Sequence, residues 1–180
     1  MMVPSKQGLI VNISSLGGLA YMMNVSYGVG KEACDRMAAD CAIELKKHNV
    51  AFVSIWPGAV LTEFTEQMME GDHSDKGDSP GVSKEMVARL FANAESPQYV
   101  GMCIAKLAAD PNVMKKSGKV LMTADLGQEY DLTDINGKKP LNMRSIKDLM
   151  FLNGNSWLSA VTPGAIKVPL WMMSMRGKKL

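Results

Sequence analysis

Histidine and cysteine are scarce in this chain, two and three residues respectively among 180. His48 and His73 fall in unrelated segments, and neither has the close, regular partners of a metal-ligand set, so no metal site is expected. Cys34, Cys41 and Cys103 are odd in number and contain no Cys-x-x-Cys pair, which excludes a disulfide framework of the secreted kind. Cys34 and Cys41 lie on one expected helix, roughly 10 Å apart along its axis, beyond disulfide reach. All three read as small core residues in a reducing, intracellular compartment. No uninterrupted apolar run reaches the ~18 residues that a spanning helix requires. The segment Met1 to Gln7 lacks the apolar stretch of a secretory signal. An excess of charge of one sign is also missing: the net charge is +2, from 20 basic and 18 acidic residues. That balance gives no footing for a nucleic-acid partner.

What is present is an ordinary globular composition, 47% hydrophobic and 21% charged, with the length of one domain. Gly8 to Ser15 is a short β-branched run of the kind buried on both faces in a parallel sheet. A glycine-containing loop follows to Asn24. From about Ser26 to His48 the apolar residues Cys34, Met37, Ala38, Cys41, Ala42 and Leu45 recur at helical spacing and predict an apolar stripe. Val50 to Trp56 reads as a second buried strand, stopped by Pro57-Gly58. Residues 63 to 82 are polar and poorly periodic, with Gly71 to Gly81 expected to be a mobile loop. Ser96-Pro97 opens a helix to about Ala109, the serine as cap and the proline at the first position. Gly118 to Thr123 is a third strand.

Strand, helix, strand, helix, strand predicts right-handed crossovers, an α/β doubly wound parallel sheet of about three strands with helices on both faces. Residues 1–127 form this unit. Residues 128–180 form an irregular C-terminal extension with Trp157, Trp171 and a basic end. Such an extension suits a peripheral membrane interface or a dimer contact.

Active sites in these sheets gather at the carboxyl ends of the strands. Ser14-Ser15 stands at the first such end and Pro57-Gly-Ala-Val60-Leu-Thr62 at the second. Between them Tyr27-Gly-Val-Gly-Lys31 puts a phenol and an ammonium on one helix face. A permanent positive charge there favours the phenolate and makes the tyrosine a proton donor of use near neutral pH.

Taken together, strand, Ser-Ser, Tyr-x-x-x-Lys, helix, strand and Pro-Gly-x-Val-x-Thr resemble the carboxyl half of the short-chain dehydrogenase/reductase family, over about residues 8 to 125. The resemblance implies a Rossmann-like fold and NAD(P)-dependent interconversion of carbonyls and alcohols. It implies Tyr27 as general acid or base, and Lys31 as the group that depresses its pKa and binds the nicotinamide ribose. A serine at the strand end would hydrogen-bond the reacting oxygen. Pro57, Gly58, Val60 and Thr62 would border the nicotinamide of NADP(H) or NAD(H). Aligning the strand ends selects Ser15, whereas the family's commoner spacing to tyrosine selects Ser14. Ser15 is preferred because loop length varies more readily than a paired strand.

The family's glycine-rich turn and its Asn-Asn-Ala-Gly segment have no counterpart in these residues. Gly28-Val-Gly30-Lys-Glu-Ala33 matches G-x-G-x-x-A formally. It follows a loop rather than a strand, so it is not expected to hold a pyrophosphate. The resemblance therefore leads us to expect half of an oxidoreductase, poorly soluble and without measurable dinucleotide affinity by itself, or a non-catalytic dimerisation module. Several local strings, with the tryptophan-bearing tail, are similar to a family subgroup of carbonyl reductases that act on steroids and xenobiotic carbonyls. Members of that subgroup are associated with the endoplasmic reticulum membrane, so that location is expected, with the cytoplasm as the alternative. The resemblance also implies a small carbonyl or alcohol substrate and a homo-oligomer.

Overall fold

The computed structural model describes residues 1–70 and 84–177. After a single helical turn, α1 (Met2–Ser5), the chain enters β1 (Gly8–Ile13), crosses through α2 (Val25–Leu45) and returns as β2 (Val50–Trp56). Helices α3 (Glu63–Glu70), α4 (Lys84–Ala92) and α5 (Pro97–Ala108) precede β3 (Val120–Met122). Beyond it come α6 (Thr123–Glu129), α7 (Ile146–Leu152), α8 (Ser156–Val161) and α9 (Leu170–Gly177). The sheet among the described residues is parallel, in the order β1-β2-β3, with Val11 opposite Val53 and Ile55 opposite Leu121.

Every residue of β2 is buried. The pleat explains how one strand serves two layers, because alternate side chains point to opposite faces. Val53 and Ile55 face α5 and join Tyr99, Cys103, Leu107 and Leu126 in the main core. Ser54 and Trp56 face the other way, where Asp35 of α2 accepts from Ser54 Oγ at 2.5 Å and from Trp56 Nε1 at 3.0 Å. Helices thus cover both faces, as the sequence predicts. Ser96 caps α5 as expected, its hydroxyl accepting from the Tyr99 amide at 3.0 Å.

Two expectations differ from what is observed, and a third falls outside the described residues. The apolar stripe of α2 is only partly covered: Ala38 is buried, Cys34, Cys41, Ala42 and Leu45 are half-buried, and Met37 is 49% exposed. The cause is the sheet beneath it, since β1 is an edge strand and nothing among the described residues extends the sheet under that side. The segment after Thr62, polar and poorly periodic in sequence and assigned no helix there, begins with α3. Its start is set by capping, which hydrophobic periodicity does not register: the Thr62 amide donates to Thr65 Oγ1 at 2.8 Å and the Thr65 amide to Thr62 Oγ1 at 3.2 Å. Gly71 to Gly81 lies outside the described residues.

Residues 128–177 carry three short helices and are tied to the sheet end by charge. Asp125 accepts from Arg144 Nη1 at 2.6 Å, Lys167 Nζ at 2.6 Å and Asn142 Nδ2 at 2.7 Å. Burial raises the proton affinity of Asp125, but these hydrogen bonds and the two cations outweigh it and hold the carboxyl below its ordinary range.

The two faces of the fold predict different tolerance. Leu107→Ala, at a fully buried position, is expected to cost ~2–5 kcal/mol of unfolding free energy. Ile43→Ala, at a position 77% exposed, is expected to change it by less than ~0.5 kcal/mol. Urea denaturation of the two variants checks the pair.

Candidate active site

The site forms where β1 and β2 end. Backbone pairing persists one residue past β1, with the Ser14 amide donating to the Ile55 carbonyl at 2.8 Å. Ser14 is buried, and its hydroxyl donates to the Lys31 carbonyl at 2.8 Å. Ser15 is half-buried, and its Oγ accepts from the Gly17 amide at 3.1 Å as the cap of a short 3-10 turn, Leu16–Gly18. The two candidate serines therefore have different work. Ser14 gives its proton to the helix backbone, whereas the Ser15 hydroxyl proton has no acceptor among the described residues.

Asn24 starts α2 by accepting the Tyr27 amide on its Oδ1 at 2.8 Å. This cap puts Tyr27 in the first turn and Lys31 one turn further, on the same face. Lys31 Nζ donates to the Ile13 carbonyl, the last of β1, at 3.1 Å, and stands 5.5 Å from the centre of the Tyr27 ring. The ring lies against Gly17: a Cβ at that position would approach Tyr27 Cε1 to 2.5 Å. A side chain there would have to displace the tyrosine. Ser15, Tyr27 and Lys31 are thus assembled around one strand end.

Pro57, Gly58, Ala59 and Val60 leave β2 half-buried beside this group. Their loop is bound by Glu95, which the sequence reading did not single out. The Glu95 amide donates to the Ala59 carbonyl at 2.8 Å, and the Leu61 amide donates to the Glu95 carbonyl at 2.9 Å. The Gly58 amide donates to Glu95 Oε1 at 2.6 Å, and Thr123 Oγ1 reaches both carboxyl oxygens at 3.0 and 2.9 Å. Thr62 is more distant in role, because its hydroxyl is engaged with Thr65 in capping α3. Asp35 was also passed over; one helical turn beyond Lys31, it fixes α2 to β2 through Ser54 and Trp56. A signal existed in each case: an acid inside a predicted apolar stripe for Asp35, and an acid directly before a helix cap for Glu95.

Burial pushes the Glu95 carboxyl from its ordinary 4.5 up to about 7, against the hydrogen bonds from Thr123 and Gly58, with Asp134 adding like-charge repulsion. Cys103 nearby is pushed up to about 12, by burial first and then by Glu95 and Asp134, which leaves an inert thiol. Gly28 to Ala33 lies inside α2, with the Gly28 amide donating to the Asn24 carbonyl. Its amides serve the helix and offer no pyrophosphate cradle, as expected. No group of three or more potential metal ligands occurs among the described residues.

This arrangement, with a parallel sheet covered on both faces, defines a Rossmann-like α/β fold, and the chain belongs to the short-chain dehydrogenase/reductase family. Residues 1–73 match the family model for short chain dehydrogenase. The chain is 44% identical over 180 residues to dehydrogenase/reductase SDR family member 1 of Mus musculus, covering 99% of this chain and 56% of that protein. It thus spans about half the length of the curated relatives it matches. Among solved structures it is similar to 4-hydroxyisoleucine dehydrogenase complexed with NADH and succinate. There the TM-score is 0.50 with 26% identity, over 66% of this chain and 46% of that one. An actinorhodin polyketide ketoreductase with NADPH shares the fold at a TM-score of 0.54 and 19% identity, over 67% and 47% of the respective chains.

Glu95 gives a signed pH dependence. Its folded value lies above the unfolded one, so its contribution is fully present below about pH 4.5 and is lost as pH rises through about 7. Stability is expected to fall by ~1–3 kcal/mol across that interval from this group. Glu95→Gln should remove this component from a pH series of urea unfolding curves.

Proposed function

We propose that these residues carry the proton-transfer half of an NAD(P)-dependent carbonyl reductase or alcohol dehydrogenase. The observation that carries the reading is the convergence of Lys31 Nζ and the Tyr27 ring on the end of β1 beside Ser15. Tyr27 gives a proton to the carbonyl oxygen of a ketone or aldehyde in reduction, and takes it back in oxidation. Ser15 donates its unengaged hydroxyl proton to the same oxygen and fixes the carbonyl's orientation. Lys31 keeps positive charge beside the phenol and has ammonium hydrogens to offer a ribose beyond the one bound to Ile13. The nicotinamide dinucleotide, when bound, supplies the hydride. Pro57, Gly58 and Val60 form the wall against its ring, with Thr62 at the far end of that wall. Steroids and xenobiotic carbonyls are the substrate class of this reading.

No glycine-rich strand-turn-helix for the pyrophosphate occurs among the described residues, so titration of NADPH against this chain is expected to show no micromolar binding; micromolar affinity would contradict the assignment. The chemistry itself is tested in a chimera that substitutes these 180 residues for the matched segment of the mouse relative. We expect NAD(P)H-dependent ketone reduction that Tyr27→Phe lowers by about 100-fold or more. Equal turnover by the phenylalanine variant would refute Tyr27 as the donor.

A second reading, a dimerisation module without catalysis, is favoured by one observation: α2 leaves Val25, Val29 and Ile43 more than 60% exposed. Those residues give a partner, including a second copy, an apolar helix face to cover. In the extension, exposed Trp157, Val161, Trp171 and Met172 support peripheral membrane contact, with the endoplasmic reticulum as the proposed location. No helix among the described residues is long and apolar enough to cross a membrane.

A further inference from the structure

Glu95 is 1% exposed and makes no contact that the proton-transfer scheme uses, yet it binds the Pro57–Thr62 loop at three points. Two of those bonds are main-chain bonds to Ala59 and Leu61, which any residue except proline supplies at position 95. The third, from the Gly58 amide to Oε1, depends on the side chain. It is needed at that place because Pro57 has no amide hydrogen and cannot continue the ladder of β2. Gly58 is thus the first residue after the strand able to anchor the turn by its own N–H. Thr123, directly after β3, fixes the carboxyl from the other side by donating to both oxygens. The next residue, Ser96, is held through its amide and hydroxyl by Asp134, at 2.8 and 2.5 Å. A loop leaving one strand is therefore referenced to the end of another and to the C-terminal extension. Burial of a carboxyl works against stability, so its contribution is geometric rather than energetic.

We propose that Glu95 is a positioning residue: its carboxyl, oriented by Thr123, holds the Gly58 amide and so fixes the shape of the loop that faces the nicotinamide. The assignment of that loop to the nicotinamide rests on the function proposed above. Glutamine at position 95 preserves an oxygen for the Gly58 amide and an amide group that the Thr123 hydroxyl accepts. Alanine preserves neither.

Hydrogen-exchange mass spectrometry on the full 180-residue chain at micromolar concentration separates local from global effects. In Glu95→Ala, the Gly58 and Leu61 amides should exchange about tenfold faster or more, while Val53 and Ile55 within β2 change by less than about twofold. Glu95→Gln should keep the loop amides within about threefold of the parent. Equal loss of protection in the glutamine and alanine variants would overturn the proposal, as would unchanged loop exchange or a uniform rise through β2. Should the alanine variant fail to fold, Thr123→Val decides: a rise confined to the loop supports Glu95 as its oriented anchor, and no rise overturns it. These amides report on the loop without any cofactor. Failure of the proton-donor reading appears separately, as unimpaired turnover of the Tyr27→Phe chimera.

Discussion

Seven consecutive buried residues, Val50 to Trp56, carry the molecule, and the polar contact that makes this burial tolerable is the one between Ser54, Trp56 and Asp35. A strand enclosed on both faces leaves no water for a hydroxyl or an indole N–H, and an unpaired group there costs ~1–3 kcal/mol. Asp35 satisfies both from α2, in a geometry that also sets how far along the sheet the helix lies. Lys31 and Tyr27 are on the same helix, one and two turns earlier, so the clasp that stabilises β2 also determines where the phenol and ammonium stand. Stability and site geometry are coupled at this point by a single carboxylate.

The same economy appears at the strand ends. The Ile13 carbonyl, the last of β1, accepts from Lys31, and Ser14 returns a hydrogen bond to the Lys31 carbonyl. Strand and helix are joined by a reciprocal pair in which backbone groups are satisfied by side chains of the candidate site. Gly17 contributes by absence of a side chain, letting the Tyr27 ring settle against the turn. On the opposite side of β2, Glu95 and Thr123 do for the Pro57–Thr62 loop what Ser14 does for the helix: a buried polar group supplies a reference between two elements.

Much of this was legible in the sequence, for identifiable reasons. The parallel order of β1 and β2, the α2 boundaries and the α5 cap follow from runs of β-branched residues, helical spacing and a Ser-Pro start, all of them local signals. That Tyr27 and Lys31 share one helix face was legible from helical spacing, and that Ser14 and Ser15 stand at a strand end from the β-branched run before them. Asp35, Glu95 and Thr123 were not singled out, since their roles exist only between elements distant in the chain; Glu95 and Gly58 are 37 residues apart. The α3 helix escaped because two threonine caps, rather than an apolar period, define its start.

The central claim is that α2 presents Lys31 and Tyr27 ready for a nicotinamide ribose and a carbonyl at the end of β1. A crystal structure of the chimera with a bound nicotinamide dinucleotide tests it most directly. The account predicts Lys31 Nζ within hydrogen-bond distance of the ribose hydroxyls, the nicotinamide ring against Pro57 to Val60, and Tyr27 Oη and Ser15 Oγ facing one open position beside it. A dinucleotide bound with its nicotinamide away from Lys31, or a Tyr27 ring that must leave Gly17 to reach it, would contradict the account.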